Sequence, residues 1–154
     1  MGDLVRSASA LAAAGALLLS GCASHVAGTA RPLRITDVER DQVSGYFTKL
    51  NEAGGKGNPE QRKLLQDTQH PDFRKQACDL KAGTLRMDPT MSTLRMDPDW
   101  EPPGERGHPR GVVYVVAATV TLMEDAAPVG LQIGSLHVVV IDGKPYGFAP
   151  CVGG

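Results

Sequence analysis

The chain has 154 residues, with 16 Lys and Arg against 17 Asp and Glu, so its formal net charge at pH 7 is −1. This near-neutral balance excludes a strongly basic nucleic-acid-binding face, and we expect no nucleic-acid partner. The length fits one domain with a hydrophobic core of its own.

The first 21 residues have the features of a signal peptide. Arg6 makes the start weakly positive, and the thirteen residues of the run Ser7 to Leu19 carry no charge. Such a run is shorter than the roughly 20 apolar residues that a membrane-spanning helix needs. We therefore expect residues 1–21 to be removed, 22–34 to form a tether, and 35–154 to form a single domain.

A four-residue motif closes this run: Leu19, Ser20, Gly21 and Cys22. It resembles the lipobox of bacterial lipoproteins, of the actinobacterial type. In that family the cysteine thiol receives a diacylglycerol, and the signal peptidase cuts just before it. The resemblance implies lipidation of Cys22 by acyl chains such as palmitate, and a protein held at the extracytoplasmic face of the cell membrane. A secretory peptide cut elsewhere, for example after Ala30, and a cytosolic protein with an Ala-rich start stay open.

Two further cysteines, Cys78 and Cys151, form an even pair. Outside the membrane such a pair usually forms a disulfide, which over this loop length stabilises the fold by about 4 kcal/mol in the chain-entropy model. Two free buried thiols are the alternative. Neither cysteine lies in a Cys-x-x-Cys motif, so we expect no redox role.

The first predicted helix begins with a capping box, Thr36 to Glu39, and continues with an apolar stripe at helical spacing: Val43, Tyr46, Phe47 and Leu50. We expect Gly54-Gly55 to end it. The following Gly55-Lys56-Gly57 lacks the preceding strand and the Ser or Thr of a phosphate-binding loop, which favours a helix stop.

Two shorter helices are predicted next. Asn58-Pro59 begins the second, which His70-Pro71 ends. Phe73, Ala77 and Leu80 recur at helical spacing, which predicts a third helix up to Gly83 that carries Cys78.

An exact repeat follows, with Thr84 to Pro89 returning as Thr93 to Pro98. A displacement of nine residues puts the copies on opposite faces of any single strand or helix. We therefore predict two short extended pieces, each ended by Asp-Pro. The nearby carboxylates match no known calcium loop, so turn chemistry is the preferred interpretation for Asp88, Asp97, Asp99 and Glu101. Trp100 opens a long loop to Arg110; packing over the core edge is favoured over a ligand platform.

The last third of the chain predicts a sheet. Gly111 to Met123 alternates, with its even-numbered apolar residues on one face. Val129 to Ile141 forms a second strand, where Gly130 and Gly134 suggest a bulge or bend. Asp142-Gly143 is the best hairpin turn in the chain, and Pro145 makes Lys144 to Ala149 an edge strand.

Helices followed by an antiparallel sheet predict an α+β domain, with two or three N-terminal helices on a curved sheet. This order of elements over residues 35–150 resembles the nuclear-transport-factor-2-like fold of small envelope lipoproteins. The resemblance implies a cone-like interior. No functional residue of that fold can be transferred to this chain.

Catalytic and metal sites are not expected. Ser135 and His137 share a strand face near Asp142, but no nucleophile elbow surrounds the serine. His70, His108 and His137 have no metal-ligand spacing. Asp72 and Asp79 form no obvious carboxylate pair. We expect no catalytic residue, no metal and no cofactor.

The sequence thus predicts a lipid-anchored binding domain without enzymatic activity, whose partner is an envelope protein or a small apolar ligand. Two other functions stay open. One is an enzyme with a cone-shaped pocket, and the other is a phage- or prophage-encoded surface lipoprotein that blocks superinfection.

Overall fold

The computed structural model describes residues 34–76 and 79–148, which belong to one compact unit. Its α+β architecture confirms the predicted fold class. In chain order the helices and strands are α1 (Asp37–Lys56), α2 (Asn58–Asp67), β1 (Thr84–Pro89), β2 (Arg95–Met96), β3 (Val112–Glu124), β4 (Ala127–Ile141) and β5 (Lys144–Gly147).

Helix α1 begins with the predicted capping box. The Thr36 hydroxyl accepts from the Glu39 amide at 3.2 Å, and the Glu39 carboxylate accepts from the Thr36 amide at 2.7 Å. The predicted apolar stripe is buried against the sheet. The helix runs past Gly54-Gly55 and ends at Lys56, so the predicted end was too early. Gly57 caps it with a φ of 130°, which favours glycine.

The segment after α2 corrects the prediction of a third α-helix. A short 3-10 helix, Pro71–Gln76, stands there, and residues 79–81 have no regular structure. Phe73 interrupts helical geometry at φ −118° while its ring packs against His70 and Phe148. These tertiary ring contacts outweigh the weak helical spacing of three apolar residues.

The sheet is antiparallel and curled, with strands in the order β1-β3-β4-β5 and β2 paired to β3 beside β1. Both copies of the repeat therefore lie along β3 as two short extended pieces, as predicted. A 3-10 turn, Met91–Thr93, runs into the beginning of the second copy and resets the alternation of side chains. Leu85 and Leu94, equivalent in the two copies, are consequently both buried in the core.

Two-residue turns join β3 to β4 and β4 to β5. Asp125, Ala126, Asp142 and Gly143 all have positive φ, as type I′ hairpins require. The pairing of β3 with β4 shifts register between Leu122 and Met123, opposite the region of Gly130, where a bulge was predicted. Gly134 instead lies in the regular ladder opposite Ala118.

The sheet has two faces that differ along its length. The face toward α1 is buried and carries Tyr114, Val116 and Val120. The reverse face is also buried near Val115 and Val139, because the loop between β2 and β3 lies over it. Farther along β4 the reverse face is exposed.

Candidate functional site

The space between α1 and the sheet is filled by side chains. The described residues leave a cavity of about 10 Å³ there, lined by Phe47, Leu50 and Leu136 among others. This volume is about the size needed for one water molecule. This cavity is therefore too small for an organic ligand.

Three amide side chains from the helices pair with β1 and the residues before it. We call Asn51, Asn58 and Gln61 the amide ladder. Gln61 is fully buried and donates to the Leu85 carbonyl at 2.6 Å while accepting from the Leu85 amide at 2.7 Å. Asn51 does the same with Met87, at 2.8 Å in both directions. Asn58 donates to the Gly83 carbonyl at 2.6 Å. The ladder closes this edge of the sheet as another strand would.

The helix junction explains why Gly54 lies beside the amide ladder. A Cβ atom at position 54 would lie 2.7 Å from the Gln61 side-chain nitrogen. Gln61 also donates to the Leu50 carbonyl at 2.9 Å, so one amide connects α1, α2 and β1. The glycine that reads as a helix stop in the sequence is needed for close packing.

On the reverse face, His137 forms a part-buried polar contact with the loop between β2 and β3. Its Nε2 lies 3.0 Å from an Asp97 carboxylate oxygen, and the Trp100 ring stacks on the imidazole with centroids 3.9 Å apart. Burial lowers the pKa of His137 below its ordinary value, although Asp97 opposes this shift. The pair fixes the loop to β4, and Trp100 packs over the reverse face of the sheet, in keeping with the predicted packing at the edge of the core.

A second histidine extends this aromatic cluster. Trp100 packs edge-on against Phe148, which stacks on the fully buried His70. Nδ1 of His70 accepts from the Asp72 amide, so Nε2 carries the proton and donates to the Arg110 carbonyl at 3.0 Å. Both ring nitrogens are thus engaged with backbone groups.

These contacts account for the residues considered as catalytic. His137 pairs with Asp97, whereas Asp142 occupies the turn between β4 and β5. Ser135 makes no hydrogen bond to His137 within the described part of the chain. The candidate triad is therefore not assembled in this conformation.

The candidate metal ligands are likewise separate. Within residues 34–76 and 79–148, no group of three His, Cys, Asp or Glu side chains is placed to hold a metal ion. Of the carboxylates near the repeat, Asp88 pairs with Arg86, and Glu101 accepts from the Gly107 amide. Asp72 and Asp79 form ion pairs with Arg110 and Arg62, respectively.

A phenol–carboxylate pair joins the start of α1 to β3. Tyr114 donates to Glu39 at 2.6 Å. This hydrogen bond lowers the pKa of the Glu39 carboxyl, and burial together with the carboxylate raises the pKa of the Tyr114 phenol. The pair is a part-buried tie between the beginning of α1 and the sheet.

An open cleft of about 840 Å³ lies at one end of the sheet. It lies between the α1–α2 junction, the start of β1 and the tip of the β3–β4 hairpin. Its charged lining is mixed: Lys56, Arg86, Glu124 and Asp125. The Gly57 amide donates to the Ala53 and Gly54 carbonyls, so it is occupied by the helix end and not free for a phosphate. The cleft suits a polar, mixed-charge ligand.

The predicted processing and lipidation residues Leu19, Ser20, Gly21 and Cys22 lie outside the described residues, as do Cys78 and Cys151. No helix in the described part of the chain combines the length and apolar character needed to cross a membrane. Sequence reasoning missed Asp97 as the partner of His137, and it missed the amide ladder, whose members are ordinary polar residues of α1 and α2. Comparisons with protein-family models, curated proteins and solved structures found no match to this chain.

Proposed function

We propose that this chain is a lipoprotein anchored at the extracytoplasmic face of the cell membrane by acyl chains on Cys22. The single observation that carries the anchor is the Leu19-Ser20-Gly21-Cys22 motif at the end of an uncharged run. Several acyl chains, each contributing about 0.8 kcal/mol per buried CH₂, hold a protein durably. The domain then needs no membrane contact of its own.

We propose further that the domain acts by binding an envelope protein and is not an enzyme. The enclosed polar side chains serve structural contacts: Gln61 holds β1, His70 holds backbone groups, and His137 holds the loop. The small cavity beneath α1 disfavours an apolar ligand inside a cone. A helix packed against a curled sheet is consistent with a nuclear-transport-factor-2-like arrangement, which stays part of the proposal.

The cleft is the proposed contact for a polar segment of that partner. Its volume of about 840 Å³ falls in the range of ligand sites, and its wide opening admits an extended segment. Lys56 and Arg86 give the cleft positive charge, and Glu124 and Asp125 at the hairpin tip give it negative charge. Such a lining favours a partner with both charge signs over a purely acidic or basic one.

A Cys78–Cys151 disulfide belongs to the same proposal. The rings of Phe73 and Phe148, five and three residues from these cysteines, have centroids 5.7 Å apart. Chain lengths of three and five residues span at most roughly 10 and 17 Å, so the positions of Phe73 and Phe148 are compatible with the proposed bond. Mass determination after alkylation, with and without reduction, tests the bond; two free thiols in the extracytoplasmic protein would contradict it.

The anchor is tested by feeding an alkyne fatty acid to a bacterium that processes lipoproteins and expresses the chain. We expect label on the wild type and on the matched control Cys78→Ser, and none on Cys22→Ser. The mass of the mature N-terminal peptide must begin at Cys22 and include the acyl groups. An unmodified Cys22 in the wild type would contradict the proposal.

Binding is tested by crosslinking on living cells, followed by identification of captured proteins. Arg86→Glu changes the charge of the cleft, and Arg106→Glu makes the same change at an exposed loop position. We expect the first variant to lose a partner that the second retains. Equal capture by both variants would exclude the cleft as the contact.

A further inference from the structure

We infer that the outer edge of β4 is a self-association surface, at which a second copy of this chain adds its own β4 in antiparallel pairing. Strand β3 pairs with β4 along almost its full length. On the other side, β5 covers only Val138 to Ile141. No strand among the described residues pairs with the outer side of Ala127 to His137. We call Leu131 to Ser135 the open edge.

Backbone groups of the open edge point away from the sheet. Ala117 directs its carbonyl to the Thr90 amide and its amide to the Thr93 hydroxyl, so both face away from β4. Ser135, opposite Ala117, then directs its own groups away from β3. Because backbone direction repeats every two residues, Ile133 and Leu131 also direct amide and carbonyl outward.

The open edge carries exposed apolar side chains and none of the features that usually prevent association at natural edge strands. Leu131 is 68% exposed and Ile133 is 75% exposed, and the ten residues from Ala127 to Leu136 carry no charge. Natural edge strands avoid association through charges, prolines, bulges or covering segments. Here Pro128 and the bulge lie near the hairpin tip and leave the open edge unprotected.

A second copy fits this edge by chemistry and by symmetry. A partner strand must itself be uncharged, since it would bury its side chains beside Leu131 and Ile133. A two-fold axis at Gln132 places Leu131 of one copy opposite Ile133 of the other, twice. The two Gln132 amides then meet on the other face of the sheet, where each can donate and accept. No charge opposes another in this register.

The first test is sedimentation equilibrium of the full chain in a detergent matched to the solvent density. We expect a concentration-dependent dimer. Ile133→Lys should weaken it at least about tenfold, because a lysine would enter an apolar contact. Val38→Lys places the same side chain at an exposed position of α1 and should leave the dimer unchanged. Equal weakening by both variants would overturn the assignment.

The second test is a charge swap across the proposed register. Ile133→Lys and Leu131→Glu should each be largely monomeric alone, and their mixture should form heterodimers in which the introduced lysine of one copy lies opposite the introduced glutamate of the other. A mixture that stays monomeric overturns this pairing. A wild type that is monomeric at every concentration also overturns it, whether residues 149–154 or a different protein covers the edge.

Discussion

The edges of the sheet at β1 and at β4 both carry backbone amides and carbonyls that point away from the sheet, but they differ in whether these groups have hydrogen-bond partners. At β1, the amide ladder satisfies the outward backbone groups of Leu85 and Met87. At β4, Leu131 and Ile133 have no such partner among the described residues. The β1 edge lies under the helices, where an unpaired amide is costly, whereas the β4 edge faces water. The difference teaches that burial by helices decides which edge must be closed.

The two halves of β4 also differ, because one is covered by other parts of the protein and the other is exposed. Near His137 it is covered by Trp100 and flanked by β5, and Val138 and Val139 are buried. Beyond Ser135 toward the hairpin tip, both its faces are exposed. The covered half therefore anchors the strand, and the other half projects its edge into solvent.

The largest expected loss of stability comes from replacing Gln61, the fully buried member of the amide ladder at β1. Gln61→Leu leaves the Leu85 amide and carbonyl without partners in the interior, and we expect a loss of about 3 kcal/mol of unfolding free energy. Urea unfolding measures the change. Gln66→Leu, an exposed position of the same helix, is the matched control and should be close to neutral. A loss below that of the control would show that the ladder is dispensable.

Asn51→Leu should have a smaller effect at the same edge. The contact with Met87 is only partly buried, so water can replace part of it, and we expect a loss of about 1–2 kcal/mol. Gln42→Leu on α1 removes an exposed hydrogen bond to Gly143 and serves as control. If the two variants unfold at the same urea concentration, closure of the edge by Asn51 contributes nothing.

The covered half of β4 should make stability pH-dependent. Burial lowers the pKa of His137 below 6.5, so the unfolded chain takes up this proton at a higher pH than the folded protein does. The stability of the folded protein with neutral His137 is therefore fully present above pH 6.5. It is lost as pH falls toward the folded-state pKa, and the unfolding free energy changes by at most about 1.4 kcal/mol per pH unit. His137→Gln should flatten the profile between pH 7 and 5. An unchanged profile, with exposed His108→Gln as control, would contradict the assignment.

The smallest effect is expected at the open edge. Ile133→Lys should change the unfolding free energy of the monomer by no more than about 0.5 kcal/mol, because the side chain it replaces is already in water. Thermal unfolding at dilute concentration measures this. A loss comparable to that of Gln61→Leu would mean that the edge is covered within the monomer.

Local sequence patterns predicted most of the fold. Four predicted features depend only on residues that are close in sequence, and each was confirmed. They are the capping box at Thr36, the apolar stripe of α1, the two extended copies of the repeat and the Asp142-Gly143 turn. The third helix failed because tertiary ring contacts at Phe73 outweighed a weak local pattern.

The polar contacts were beyond local reasoning. Gln61 and Leu85 are 24 residues apart, and Asp97 and His137 are 40 apart. Nothing in the neighbourhood of Gln61 distinguishes it from the exposed Gln66 on the same helix. The open edge could be predicted only in part. The uncharged run from Ala127 to Leu136 is visible in the sequence, but nothing in the sequence shows that β5 pairs with β4 only from Val138 to Ile141.

Residue-resolved hydrogen exchange in dilute solution tests the contrast between the edges most directly. The Leu85 and Met87 amides should exchange only through global unfolding, because the amide ladder holds both. The Leu131 and Ile133 amides should exchange with little protection under the same conditions. Equal protection of the four amides at the lowest measurable concentration would contradict the account.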